Sequence, residues 1–185
     1  MLKKIAMLAF LLSAASQANA FSSTNISLYL APKLSYIGMQ AGQNSNEVLV
    51  PQLGVGAGLT VNHLFYLGGE LFANRQFLTI KNGSNNTSDL RPKYEWGGSV
   101  LPGIVFDPRA LGYGRLGLVS ARFADLNQIQ TGVQAGIGIE VRLMPMFYLA
   151  GEYTFTRFRH LDGVDGTPFS DQYSVGITYR YPGFE

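Results

Sequence analysis

The chain has 185 residues, 46% of them hydrophobic and only 14% charged, where a typical soluble domain carries roughly 25% charged side chains. There is no cysteine and hence no disulfide framework, and removing Lys3 and Lys4 from the 14 basic residues leaves 12 against 12 acidic ones, so charge gives no support for a nucleic-acid partner. After Ala20 no apolar stretch reaches the roughly 18 residues that a membrane helix requires. At the N-terminus, Lys3 and Lys4 precede the apolar run Ile5 to Leu12, and Ala18-Asn19-Ala20 supplies small residues at a cleavage site. Residues 1–20 are therefore expected to be a secretory signal, leaving 21–185 as one domain.

Eight segments of period two follow, and each places alternate side chains on opposite faces. The first runs from Ile26 to Gly38, with Leu28, Leu30, Leu34 and Tyr36 outward and Ser27, Lys33 and Ser35 inward. The second, Pro51 to Val61, sets Leu53, Val55 and Leu59 against Gln52, Gly54, Gly56, Gly58 and Thr60. The third, Leu64 to Phe77, has Phe65, Leu67 and Leu71 opposite Glu70 and Asn74. The fourth, Tyr94 to Phe106, has Trp96, Val100, Ile104 and Phe106 opposite Glu95 and Ser99. In the fifth, Leu111 to Phe123, apolar residues fall on both parities, and a bulge that flips the facing is one remedy. The sixth, Thr131 to Leu143, is the cleanest: Val133, Ala135, Ile137, Ile139 and Val141 oppose Gln134, Gly136, Gly138, Glu140 and Arg142. The seventh, Met146 to Phe158, has Phe147, Leu149, Tyr153 and Phe155 outside and Glu152, Thr154 and Thr156 inside. The eighth, Gln172 to Tyr181, opposes Tyr173, Val175, Ile177, Tyr179 and Tyr181 to Gln172, Ser174, Gly176, Thr178 and Arg180.

Connections alternate in length. Asn62-His63, Asp107 to Ala110 and Met144-Pro145 are tight turns, whereas Met39 to Val50, Leu78 to Lys93, Ala124 to Gln130 and Arg159 to Asp171 are longer and polar. Aromatic residues sort onto two levels, with Phe65, Phe106, Tyr113, Phe147, Tyr179 and Tyr181 at the short-turn ends and Tyr36, Phe77, Trp96, Phe123, Phe155 and Tyr173 at the others. Short periplasmic turns, longer outside loops and two aromatic girdles describe an outer-membrane barrel. Spanning structures in lipid are helices or closed barrels, and helices are excluded here. The expected fold is all-β, an eight-stranded antiparallel up-and-down transmembrane β-barrel, in preference to a secreted soluble barrel or sandwich.

Several fragments resemble the eight-stranded OmpA-type and opacity-protein family over nearly the whole mature chain: Pro51 to Gly58, Tyr66-Leu67-Gly68-Gly69-Glu70, Tyr113-Gly114-Arg115-Leu116-Gly117, Gly138-Ile139-Glu140, Gly151-Glu152-Tyr153 and Thr178 to Tyr181. Ser174, Gly176, Tyr179 and Tyr181 also resemble the C-terminal assembly signal of such barrels, with four further residues after the final aromatic. The resemblance implies a barrel-only member in a bacterial cell outer membrane, facing the barrel assembly machinery, with Arg115 in the lumen. A family lysine corresponds to Leu101 here and a family arginine to Ala150, so the family's ion network is not kept in detail.

The expected lumen set is Lys33, Glu70, Glu95, Arg115, Glu140, Arg142, Glu152 and Arg180. Eight strands leave room only for side chains, and charges there must pair, so a filled interior is favoured over a narrow gated pore. Catalytic residues are not expected. His63 falls in a turn, and His160 with Asp162, Asp165, Ser170 and Asp171 lies on a long loop, where preorganisation is poor. No metal or cofactor site is expected: the loop lacks the ligand density of a calcium site, and Gly54-x-Gly56-x-Gly58 precedes no helix. Arg75, Lys81, Arg91, Lys93, Arg157 and Arg159 gather near the outer ends of the third, fourth and seventh strands as candidate contacts for lipopolysaccharide phosphates, or simply as soluble loop charge. The expected function is a monomeric surface protein, structural, adhesive or host-interacting through its outer loops. The alternatives are an ion-conducting pore and a lipid A-modifying enzyme.

Overall fold

Along the described strands side chains of one parity are hidden and those of the other exposed, and the hidden set mixes polar and charged residues with apolar ones. The computed structural model describes residues 24–41, 44–75, 78–80, 92–123, 129–159 and 167–182, so the expected signal segment lies outside the described residues. The strands are β1 (Thr24–Ala41), β2 (Asn44–Val61), β3 (Phe65–Arg75), β4 (Leu78–Ile80), β5 (Pro92–Asp107), β6 (Ala110–Phe123), β7 (Ile129–Met144), β8 (Phe147–Phe158) and β9 (Phe169–Pro182). β3 and β4 both pair with β2 and form one stave, so nine strands make eight staves. Their order is β1-β9-β8-β7-β6-β5-β3-β2, all antiparallel, and β2 returns to β1 to close the cylinder.

On β7, Ile137 is 69% exposed while Glu140, three residues on, is 4% exposed. Leucines, isoleucines and valines cover the outside of the staves, and Lys33, Arg115, Glu70 and Glu152 are buried. A water-soluble sandwich would invert this distribution, because a continuous exposed apolar belt is incompatible with a monomer in water. The soluble alternative is thereby excluded.

The tight turns work through specific residues. Asn62 and His63 take φ of 52° and 55°, the left-handed region that asparagine tolerates best. Pro145 sets the turn before Met146, whose φ is 72°. Asp107 accepts a hydrogen bond from the Arg109 backbone N–H at 2.8 Å.

Three expectations are corrected. First, the long loop from Met39 to Val50 is instead a hairpin, with β1 and β2 paired as far as Ala41 and Asn44. Ile37, Val48 and Val50 form a small apolar cluster inside it, and Met39 is buried beside them. Above the membrane the inward side is the greasy one, so the pattern reverses and looks loop-like in sequence. Second, β6 contains no bulge. Its ladder with β7 runs unbroken from Ala110–Val141 to Arg122–Ile129, and the register shifts fall at the two ends of the β5–β6 ladder. β6 is apolar on both parities because Leu111, Tyr113, Val119 and Ala121 all face the lumen. Third, Tyr113 therefore leaves the aromatic girdle for the interior, where its hydroxyl reaches a carboxylate. Phe77 and the Phe123 side chain lie outside the described set.

Because Ile137 points into lipid at mid-strand, Ile137→Arg should destabilise the barrel by about 2–4 kcal/mol in phospholipid vesicles, whereas a charge at a headgroup-level position should cost about 0–1 kcal/mol. Urea unfolding followed by tryptophan emission and by heat-dependent gel migration measures both.

Candidate functional site: the lumen

At mid-height the lumen holds a closed ring of four charges. Around the cylinder β1, β8, β6 and β3 are every second stave, and they contribute Lys33, Glu152, Arg115 and Glu70 in turn. Cation and anion alternate, so each cation lies between two carboxylates. Arg115 Nη2 is 2.5 Å from Glu70 Oε1 and 2.9 Å from Glu152 Oε2. Lys33 Nζ is 3.2 Å from Glu152 Oε2 and 3.8 Å from Glu70 Oε1. Tyr113 donates its O–H to Glu152 at 2.8 Å, Arg115 Nη1 donates to Ser99 Oγ at 3.1 Å, and the Phe72 ring lies 5.6 Å from the guanidinium. All four charged side chains are exposed by 2% or less. Their formal charges cancel, the condition under which buried ions are tolerable.

Glycines make the ring possible. Gly54 faces the Glu70 carboxylate, and a Cβ there would meet its carboxyl carbon at 2.9 Å. A Cβ at Gly138 would stand inside the Tyr113 ring, and one at Gly56 inside the Tyr29 ring.

Toward the periplasmic end a second unit is built on β9. Arg180 donates Nε and Nη2 to Glu140 Oε2 at 3.0 and 2.6 Å and Nη1 to the Tyr66 hydroxyl at 3.1 Å. Thr178 donates to the other Glu140 oxygen at 3.0 Å. The rings of Tyr29, Tyr66 and Tyr148 surround the guanidinium at 4.9, 5.0 and 5.6 Å, a geometry that adds cation–π attraction. Below it a vestibule of about 730 Å³ opens between the turns, lined by Ser27, Tyr66, Phe106, Arg109, Arg142 and Arg180 among others. Arg142 is an exposed wall residue of this vestibule and not a member of the interior network. It lies at the end of β7, where the ladder with β8 shifts register between Arg142 and Met144, so inward parity there points into solvent.

Toward the outside the lumen is polar, with Glu95 among amides and hydroxyls, then apolar. Gln172 donates to Gln52 at 2.5 Å and to Ser35 at 3.0 Å, and Ser35 and Ser174 are 2.8 Å apart. Glu95 accepts from Asn74 at 2.8 Å, and no cation partners it among the described residues. The Ile37, Val48 and Val50 cluster lies above this layer. Leu101 and Ala150 face the lumen as buried apolar residues.

The assembly-signal residues lie at the seam between β9 and β1. Gly176 is opposite Lys33, and any Cβ there would collide with the β1 backbone and the lysine stem. Ser174 is buried beside Ser35, whereas Tyr179 and Tyr181 face outward, Tyr179 with its ring 5.2 Å from that of Phe147. Of the residues weighed for catalysis, Ser170 is buried inside while its neighbour Asp171 faces out and accepts from Tyr153. They lie on opposite sides of one strand and cannot share a site. His160, Asp162 and Asp165 lie outside the described residues, as do Lys81, Arg91 and the Lys93 side chain. No group of three metal-ligating residues occurs among the described ones.

The basic outer residues do not form one patch. Arg75 is on β3 and Arg157 on β8, four staves apart in a ring of eight, and both are exposed on the outer surface. In an up-and-down barrel of eight the third and seventh strands stand opposite each other, as they do here.

The outer membrane protein β-barrel domain family matches residues 5–181. The chain belongs to that family. It is accordingly a protein of the bacterial outer membrane. Among solved structures it is similar to Neisserial surface protein A, with 15% identity and a TM-score of 0.56 over 83% of this chain and 97% of that one. It is also similar to Ail, the attachment invasion locus protein of Yersinia pestis, in a complex with the heparin analogue sucrose octasulfate, with 13% identity and a TM-score of 0.57 over 86% of this chain and 99% of that one. No curated protein matches. At these identities the likeness shows the fold.

Removing one member of the ring leaves its partners short of countercharge, so Glu152→Gln should destabilise the barrel by about 3–5 kcal/mol. Glu95→Gln keeps a hydrogen-bonding partner for Asn74 and removes a buried charge, so it should be neutral or stabilising. Equilibrium urea unfolding in one vesicle composition compares the two. Equal losses would show that Glu95 has a countercharge after all.

Proposed function

We propose that the barrel is a filled anchor and that the protein acts at the cell surface, in a structural, adhesive or host-interacting role and without enzymatic activity of its own. The buried, mutually paired ring of Lys33, Glu70, Arg115 and Glu152 supports this reading, because ion pairs that fill the lumen at mid-height favour contact at the two ends and the outside. Further support comes from the fold's use in proteins named for the cell surface and for attachment. Loops on a rigid scaffold are where binding residues concentrate. The segments to test are the connections from β4 to β5 and from β8 to β9. On this reading the protein is a monomer delivered by the barrel assembly machinery, which takes hold of the strand containing Ser174, Gly176, Tyr179 and Tyr181.

The pore is the competing reading, favoured by the vestibule that leads as far as Arg180. Conduction would require the Arg180–Glu140 pair and the ring above it to open together. Planar bilayers containing the purified protein should therefore stay silent, and Glu70→Gln and Glu140→Gln should not create discrete channels. A steady conductance altered by either substitution would establish the pore. Replacing the connections 81–91 and 160–166 by short Gly-Ser linkers should abolish binding to host-cell surfaces while heat-dependent gel migration stays unchanged. Lipid A from overproducing cells should keep its acylation pattern by mass spectrometry.

A further inference from the structure

In the outer half of β3, β5 and β6, the described outward side chains are apolar, aromatic or small, with two exceptions, Arg75 and Arg122. Both lie on one cross-strand row. Arg75 of β3 pairs in register with Tyr94 of β5, and Tyr94 pairs with Arg122 of β6. Two guanidinium-bearing strands thus flank a tyrosine, their Cα atoms two strand spacings or about 10 Å apart. Arg122 Nη1 donates to the Tyr94 hydroxyl at 2.8 Å, with the guanidinium 5.9 Å from the ring centroid. That bond uses the hydroxyl oxygen as acceptor, and the hydroxyl keeps a proton that it can donate.

Depth identifies the occupant. The next outward row toward the membrane is Ala73, Trp96 and Ser120, and Trp96 is 57% exposed. An exposed indole on a barrel wall marks the boundary between acyl chains and headgroups. One outward step along a strand is roughly 6.6 Å, so Arg75, Tyr94 and Arg122 lie in the headgroup layer. The tilt of the staves spreads the row over roughly 6 Å of depth, well within that layer. We propose that this row is a seat for the phosphate of a phosphorylated glycolipid headgroup in the outer leaflet, with Arg75 and Arg122 binding the phosphate from two sides and Tyr94 donating between them. Planar guanidinium groups match phosphate oxygens in forked pairs. Each offers five N–H donors, so a guanidinium can keep a protein partner and take a phosphate as well.

The other basic pair lies in different company. Arg157 of β8 is next to Phe169, and one step down β9 is Asp171. Asp171 and Glu47 flank Gly38 on the outward face of β9, β1 and β2. Among the described residues, acidic side chains accompany Arg157 on that side of the wall, so a phosphate there meets repulsion as well as attraction.

Trp96 is the only tryptophan in the chain and lies directly beneath the seat, so its emission reports on it. Protein folded in maltoside micelles is titrated with diphosphorylated lipid A, with the same lipid dephosphorylated, and with inorganic phosphate. The proposal requires a saturable emission change with the diphosphorylated lipid, at least about tenfold weaker with the dephosphorylated one and for Arg75→Gln/Arg122→Gln, and unaltered for Arg157→Gln/Arg159→Gln. Circular dichroism and heat-dependent gel migration establish that each variant is folded. If the Arg75/Arg122 variant does not fold, the two lipids on the unaltered protein decide. Equal affinity for both lipids, a variant that titrates like the parent, a loss confined to the Arg157/Arg159 variant, or saturation by inorganic phosphate alone would each overturn the proposal.

Discussion

A strand in hydrocarbon has no water to satisfy its N–H and C=O groups, and a sheet with free edges cannot persist there. Closure of β9 onto β1 is therefore the constraint from which the remaining features descend. The two strands keep register from Ser27–Pro182 to Gln40–Phe169. Pro32 contributes no N–H to this ladder, and the paired residues step from Leu30–Tyr179 to Lys33–Gly176 across it. At that point Gly176 admits the Lys33 stem, and the Lys33 ammonium reaches Glu152 and Glu70 on other staves. The seam and the lumen network thus meet in one side chain, so the charge ring is complete only when the cylinder is.

Closing eight staves also fixes how wide the interior can be, and that width governs what may fill it. Long charged side chains fit only where glycines face them, which explains why Gly54 and Gly56 stand opposite Glu70 and Tyr29. The ring then takes its members from alternate staves, the same layering by which side chains fill other narrow barrels. Leu101 and Ala150 are buried apolar residues of the lumen wall, and the ring is balanced without a further cation from them, because Lys33 and Arg115 suffice for Glu70 and Glu152. Among the described residues, Glu95, outside both ion-paired units, is the one buried acid that relies on an amide.

Much of this was legible in the sequence, for reasons that particular strands make clear. β7 and β9 alternate cleanly because lipid on one side and a hydrated or ion-paired lumen on the other impose opposite preferences at every step. β6 was illegible because the layers around Arg115 are closed by apolar groups, Leu111 and Tyr113 below and Val119 and Ala121 above. Where inside and outside are both greasy, period two has no contrast. The same failure concealed Arg122, since a strand of undecided facing cannot assign a cation to the outer wall. The top of the β1–β2 hairpin was missed for the inverse reason: beyond the membrane its outside is polar, and a polar run looks like a loop. Arg142 has the correct parity for the lumen but lies past its end, a boundary that alternation does not mark. The up-and-down order expected from the sequence already sets the third and seventh strands on opposite sides of the ring, so grouping Arg75 with Arg157 followed their shared height and overlooked that order.

Filling the lumen has a consequence for where this protein can be selective. Ion pairs, tyrosines and glycines hold the interior at mid-height in a single arrangement, and substitutions there are felt as stability. The outer wall is under a looser rule, since hydrocarbon accepts any apolar side chain of the right length and excludes charge. A charged residue on that wall is thus confined to the headgroup layer, and its placement is informative in a way that a loop lysine is not. Arg75 and Arg122 share one such row with a tyrosine between them, whereas Glu47 and Asp171 share another on the far side of β2. The two rows differ in depth and company: Glu47 pairs with Ile80, past Arg75 on the same stave, and Asp171 shares its wall with Arg157. A barrel that only had to be anchored would need no row of guanidinium groups at headgroup level, because an uncharged aromatic girdle already fixes depth. Two guanidinium groups with a phenol between them are the physical basis on which this wall can tell a phosphate from a neutral headgroup.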